Sequence, residues 1–68
     1  METPTPEAVF SYLQWRANEE ENDAEFLEEC ARRFDAVREP FLHDARTYRE
    51  RAQNIRASLE ALHGISPT

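Results

Sequence analysis

A seven-residue apolar repeat in the C-terminal third of the chain constrains its fold more than any other feature. Alternating steps of four and three residues place the members of the repeat on one narrow stripe of an α-helix. A stripe of this width is typical of a helix that packs along another helix. The repeat therefore predicts an all-α fold built on helix–helix packing. Its members are Phe41, Ala45, Tyr48, Ala52, Ile55, Leu59 and Leu62.

Prolines and polar clusters divide the chain into predicted helices. Thr5 can cap a helix whose first position is Pro6, where the missing N–H of proline costs no hydrogen bond. A polar stretch follows at 19–22, and Asn22 can cap a second helix with Glu25 as its capping-box partner. These signals predict two or three antiparallel helices, at about residues 6–18, 23–39 and 40–63.

Pro40 marks the start of the last predicted helix. Proline inside a helix costs roughly 3 kcal/mol and disfavours helical geometry in the residue before it, so we expect a turn or sharp kink at Glu39-Pro40. One long kinked helix from Asp23 to His63 is an alternative. The glutamates at 19–21 are good helix formers. The first two predicted helices could therefore be one rod, which would make the molecule a two-helix hairpin.

The chain ends are predicted to lie outside the helical domain. Gly64 is expected to stop the last helix in a left-handed conformation, with Ile65 folding back toward Leu59. The predicted organisation is a disordered N-terminus at 1–5, a single helical domain at 6–64 and a C-terminal tail at 65–68.

A chain of 68 residues is marginal as a lone folded unit, because it buries a small fraction of its surface. Its single cysteine, Cys30, excludes an internal disulfide, and no cysteine–histidine cluster has zinc spacing. We therefore expect no structural metal or cofactor. Self-association, most readily as a homodimer, or docking on a partner is the remaining source of stability.

A second apolar stripe has the same spacing of three and four residues in the second predicted helix. Cys30 lies on this stripe and is interpreted as a small buried hydrophobic residue. The two stripes together are predicted to form the self-association core. Its predicted members are Leu27, Cys30, Phe34, Val37, Phe41, Ala45, Tyr48, Ala52, Ile55, Leu59 and Leu62.

The charge distribution is strongly asymmetric. The net charge is −6, which argues against nucleic acid or an anionic membrane as a direct ligand. Residues 1–39 carry eleven acids and four arginines, and residues 40–68 carry three acids and four arginines. One half can therefore attract the other, in the same chain or in a second copy. Lysine is absent, so every basic side chain is an arginine suited to carboxylates.

We expect a soluble cytoplasmic protein. No apolar run approaches the ~20 residues of a membrane span. Met1 to Glu7 has no basic residue and does not resemble a secretory signal. The lone thiol is compatible with a reducing compartment.

The first predicted helix is apolar over more of its circumference than one small core needs. Tyr12 and Trp15 lie beside the face formed by Phe10 and Leu13, and both are residue types enriched in interface hot spots. We therefore predict a non-catalytic protein, an adaptor, inhibitor or assembly factor, that acts by binding another protein. The predicted partner-binding residues are Phe10, Tyr12, Leu13, Trp15, Glu20, Glu21 and Glu25.

Two other functions remain open from the sequence. The segment from Glu19 to Glu29 holds seven acids and no base, and it could mimic a nucleic-acid backbone and block a nucleic-acid-binding protein. Glu60 and His63 have the Glu-x-x-His spacing of di-iron carboxylate bundles. They could contribute to a metal enzyme assembled across subunits. More commonly, a pair with this spacing is an exposed glutamate and a histidine that the helix dipole favours at a C-terminus.

Overall fold

Two long helices joined by a short turn make up the computed structural model, which describes residues 4–65. Helix α1 spans Pro6–Arg33 and helix α2 spans Arg38–Ile65, each with 28 residues. A 3-10 turn at Asp35–Val37 connects them. The prediction of an all-α chain is confirmed, and of its two forms the two-helix hairpin is the one that occurs.

Helix α1 begins as predicted. Pro6 occupies its first position, and the Thr5 hydroxyl accepts a hydrogen bond from the Ala8 N–H at 3.1 Å. This cap satisfies one of the N–H groups that have no partner within a helix. The carboxylate of Glu7 lies in the first turn, where the helix dipole favours a negative charge.

The predicted break at 19–22 is wrong. Helix α1 continues through these residues, so Asn22 and Glu25 lie inside the helix and form no cap. The local signal was polar, but glutamate propagates a helix well. Buried contacts at Ala17 and Ala24, on either side of the polar stretch, hold this part of the helix against α2.

The predicted turn at Glu39-Pro40 is also wrong, and so is the alternative of one kinked helix. The chain reverses earlier, at Phe34, whose extended backbone (φ −129°, ψ 101°) ends α1. The Val37 N–H donates to the Phe34 carbonyl at 3.1 Å and closes the turn. Pro40 then falls at the third position of α2, where a backbone N–H has no partner in the helix anyway. Proline therefore costs no hydrogen bond there.

The expected left-handed stop at Gly64 does not occur. Gly64 is helical, and no residue in the described part of the chain has a positive φ. Helix α2 runs on to Ile65, one residue beyond the predicted domain end. Residues 1–3 of the predicted N-terminal segment and 66–68 of the predicted tail lie outside the described residues.

Alanine alone forms the buried core. Five alanines are at most 2% exposed, and among residues 4–64 no larger side chain is fully buried. Within each helix they recur every seven residues, which places them in one column along the line where α1 meets α2. We call this column pair the alanine seam. Its members are Ala17, Ala24 and Ala31 on α1 and Ala45 and Ala52 on α2.

The hairpin is a flat rod of 49 × 25 × 14 Å. An α-helix with side chains is about 10–12 Å across, so the smallest dimension corresponds to a single layer of helices. Within the described range, neither helix has the length and apolar character needed to cross a membrane.

Candidate interaction surface

One edge of the alanine seam is lined by ion pairs between the helices. Arg49 makes two hydrogen bonds to the Glu28 carboxylate, at 2.6 and 2.9 Å. One heptad away on each helix, Arg56 donates to Glu21 at 2.8 Å. The seven-residue offset runs in opposite directions along α1 and α2, as antiparallel packing requires. The predicted attraction between the acidic and basic halves is therefore realised within one chain.

These ion pairs shift the acidity of the carboxylates. Two hydrogen bonds from Arg49 lower the pKa of Glu28 below its usual range, and the charge of Arg49 adds to the effect. On the surface of α1, hydrogen bonds from Arg32 and then from Arg33 lower the pKa of Glu29 in the same way. Arg33 also pairs with Glu29 along α1, at 2.8 Å, whereas Glu28 pairs across the seam.

The opposite edge of the seam is apolar. Along α2 a second heptad column lies beside Ala45 and Ala52, and along α1 a shorter column flanks Ala17 and Ala24. All of these side chains are half-buried against their own hairpin. We call this surface the apolar side. It comprises Leu13 and Leu27 on α1 and Phe41, Tyr48, Ile55 and Leu62 on α2.

Glu20 is a charged residue in the middle of the apolar side, one heptad from both Leu13 and Leu27. Its side chain is 12% exposed, and its carboxylate lies 3.4 Å from Arg16 and 4.0 Å from Arg51. The Oε2 atom is shielded and has no hydrogen-bond partner within the described residues. The Arg51 guanidinium lies 5.4 Å above the Tyr48 ring. This contact links Glu20 to the apolar column of α2.

The exposed face of α1 carries a third stripe, most of whose members are spaced by three or four residues. Three large aromatic side chains on it are mostly in solvent: Tyr12 at 53%, Trp15 at 57% and Phe26 at 66% exposure. The rings of Tyr12 and Trp15 lie 6.4 Å apart. Between Trp15 and Phe26 the stripe is polar and acidic. We call it the outer stripe, formed by Tyr12, Trp15, Glu19, Asn22, Asp23 and Phe26.

The predicted self-association residues are distributed over three places. Ala45 and Ala52 lie in the hairpin's own seam, which Leu59 extends, and Phe34 lies in the turn with 60% exposure. Cys30 and Val37 are half-buried near that turn. The remaining five lie on the apolar side: Leu27, Phe41, Tyr48, Ile55 and Leu62.

The predicted partner-binding residues are likewise separated. Tyr12 and Trp15 lie on the outer stripe. Phe10 packs against His63, with ring centroids 4.8 Å apart. Leu13 and Glu20 belong to the apolar side, Glu21 is paired with Arg56, and Glu25 is exposed. The Phe10 contact occupies one face of the histidine in the proposed Glu60–His63 pair.

Two features of the structure were not predicted, although the sequence contains a pattern that indicates each of them. The alanine seam is visible as small residues at intervals of seven, of which the predicted core includes only Ala45 and Ala52. The second feature is Phe26, which is not among the predicted binding residues. Its spacing of eleven residues from Trp15, three helical turns, shows that the two share a face once the break at 19–22 is removed.

The described part of the chain offers little for chemistry. A cleft of about 300 Å³ at the turn is lined by Ala31, Arg32, Arg38 and Leu42. Its two arginines are already paired, Arg32 with Glu29 and Arg38 with Asp35. Within residues 4–65, no group of three or more histidine, cysteine or carboxylate side chains is placed to hold a metal ion.

Comparison of the chain with protein-family models, with curated proteins and with solved structures finds no match. The functional argument therefore depends on the alanine seam, the apolar side and the outer stripe.

Proposed function

We propose that this protein is a non-catalytic interaction module, which pairs with a second copy through the apolar side and binds another protein through α1. The observation that supports this proposal is the placement of the large apolar residues. Alanine fills the seam, and the aromatic and branched side chains lie outside it, half-buried or, at four aromatic positions, mostly exposed. A surface of this kind is typical of a chain that completes its core with a neighbour.

The single-layer shape supports pairing. Folded domains consist of at least two packed layers around a common core, and this hairpin is one layer 14 Å thick. Its broad face measures 49 × 25 Å. The area of this face exceeds the roughly 800 Å² per partner that a standard stable interface buries. A second copy placed on the apolar side would supply the missing layer.

The expected assembly is a two-fold symmetric four-helix bundle. In such an interface each copy presents the same patch, so each apolar column meets its symmetry mate. Tyr48 and Ile55 lie near the middle of the α2 column and would form the centre of the interface. Glu20, between Leu13 and Leu27, would be covered together with them, with Arg16 and Arg51 as its ion-pair partners.

The nucleic-acid mimic is less well supported. Four of the seven acids between Glu19 and Glu29 are paired with arginines of the same chain. The charge available to imitate a phosphate backbone is therefore reduced, and it is spread around the helix.

The contact of His63 with Phe10 likewise makes a hydrophobic role for this histidine simpler than metal ligation. The single thiol, Cys30, suits a reducing compartment, so we propose a cytoplasmic location.

Sedimentation equilibrium of the wild-type protein beside Ile55→Asp tests the pairing. We expect the wild type to sediment as a dimer at micromolar concentration. Ile55→Asp should sediment as a monomer, since it places a charge at the centre of the apolar side. Asn54→Asp is the matched control: it adds the same charge one residue away, at an exposed position of α2.

The wild type alone can refute the proposal, because a folded monomer at about 100 μM would show that the hairpin needs no second layer. A dimer that survives Ile55→Asp would show that another surface forms the interface. Circular dichroism of each variant separates loss of pairing from loss of helix. If Ile55→Asp is unfolded, Leu62→Asp, nearer the end of α2, makes the same test.

A further inference from the structure

We propose that the outer stripe of α1 binds a basic amphipathic helix of a partner protein. This inference depends on the proposed role as a protein-binding module and names the chemistry of the partner. Apolar side chains of the partner would pack on Trp15 and Phe26, and arginines or lysines between them would pair with Glu19 and Asp23.

The aromatic residues set the length of the partner. Trp15 and Phe26 are separated by eleven residues of helix, or about 16 Å. An amphipathic helix that lies along the stripe therefore needs apolar residues roughly three turns apart. Tyr12 extends the aromatic surface by one turn and lies close to Trp15. Large, exposed aromatic side chains of this kind are the usual energetic centres of protein interfaces.

The acidic residues set the charge of the partner. Glu19 and Asp23 are exposed and make no ion pair or hydrogen bond within residues 4–64. They are four residues apart on one helix, where like charges repel and destabilise the helix. A basic partner would relieve this repulsion. An acidic partner would increase it.

The hairpin cannot neutralise these two acids from its own arginines. Seven of the eight arginines are within 4.0 Å of a carboxylate elsewhere in the described structure. The remaining one, Arg46, lies on α2. The intramolecular pairs therefore use up the positive charge and leave the outer stripe acidic.

The position of the stripe leaves it accessible in the proposed dimer. Glu19 follows Ala17 by two residues, which is about 200° around the helix. Ala17 is buried in the seam, so Glu19 lies on the far side of α1. A partner helix can occupy the stripe while a second copy covers the apolar side.

Fluorescence of Trp15 provides the assay, because it is the only tryptophan in the chain and lies on the proposed surface. The probes are two synthetic helical peptides of about 18 residues without tryptophan. Both carry leucines at the same positions, about three turns apart. One has arginines between the leucines and the other has glutamates. We expect the basic peptide to shift Trp15 emission to shorter wavelength and the acidic peptide to leave it unchanged.

Charge variants make the test specific to the stripe. The double variant Glu19→Gln with Asp23→Asn should weaken binding of the basic peptide by roughly two- to thirtyfold, the range for two exposed ion pairs. The matched control, Glu50→Gln with Glu60→Gln, removes the same charge from exposed positions on α2 and should bind as the wild type. Phe26→Ala should weaken binding through lost apolar contact. This loss should depend less on salt than the loss in the charge variant.

The outcomes separate this inference from the proposed function. Equal binding of both peptides would refute the basic partner and retain an apolar docking surface. Binding of neither peptide would refute the outer stripe as a docking surface, whereas the sedimentation result would still decide self-association. An emission shift with phosphatidylcholine vesicles, but not with the basic peptide, would refute a protein partner in favour of a lipid surface.

Discussion

The alanine seam makes a prediction whose sign distinguishes two kinds of core. Ala24 lies at the middle of the seam and is 0% exposed. Ala24→Leu adds three carbon atoms at this point. In a loose core, burial of these atoms would stabilise the fold by about 2 kcal/mol, at roughly 0.8 kcal/mol for each carbon. In a seam where the helices approach closely, the added atoms force α1 and α2 apart and cost about 1–3 kcal/mol.

We expect Ala24→Leu to destabilise the hairpin. Urea unfolding followed by circular dichroism gives the free energy of unfolding, at one fixed protein concentration because pairing would couple to stability. Ala57→Leu is the matched control: it makes the same change at an exposed position of α2 and should alter stability by less than about 0.5 kcal/mol.

The opposite change at the same position gives a second measure of the seam. Ala24→Gly removes one buried methyl group and lowers helix propensity. Each effect reduces the free energy of unfolding by about 1 kcal/mol, so the variant should lose about 2 kcal/mol. If Ala24→Leu stabilises the protein while Ala24→Gly destabilises it, the seam has spare room. The reasoning about close approach would then be wrong.

Two further predictions concern pH and the end of α2. Arg49 lowers the pKa of Glu28 in the folded chain, so the ion pair adds stability above the ordinary value of 4.5 and loses it as the pH falls through the lower folded value. Arg49→Gln should therefore reduce the urea midpoint at about pH 7, and this reduction should diminish as the pH falls through the folded pKa of Glu28; a reduction that is the same at every pH would contradict the pKa shift. Gly64 is helical, and no neighbouring atom lies within 4 Å of the position that a Cβ would occupy there, so Gly64→Ala should stabilise α2 by up to about 1 kcal/mol. A lower midpoint of thermal unfolding in this variant would indicate the left-handed conformation instead.

Hydrophobic periodicity predicted the helices better than capping and helix-breaking residues predicted their ends. The repeat through Tyr48 and Ile55 identified α2 because a buried or half-buried column must recur with the helical period. The polar stretch at 19–22 and Pro40 suggested breaks, but their meaning depends on the partner helix. Tertiary packing at Ala24 carries α1 through the glutamates, and the position of Pro40 relative to the turn removes its cost.

The candidate surfaces were harder to predict than the helices. Trp15 and Tyr12 were predicted to be interface residues from their type alone. Phe26 was missed because its relation to Trp15 appears only when α1 is one uninterrupted helix. The division of acids into paired and unpaired groups was also inaccessible, since it depends on which carboxylates face Arg49 and Arg56 across the seam.

The regular spacing of the seam has a consequence for how the hairpin finds its register. A slide of one helix past the other by seven residues brings alanine opposite alanine again, and it still matches Glu28 with Arg56. The contacts between the helices therefore discriminate weakly between neighbouring alignments. The short connection at Asp35–Val37 discriminates strongly, because it holds Arg33 and Arg38 too close together to permit such a slide. This short turn, rather than the long seam, thus selects the single alignment of the two helices.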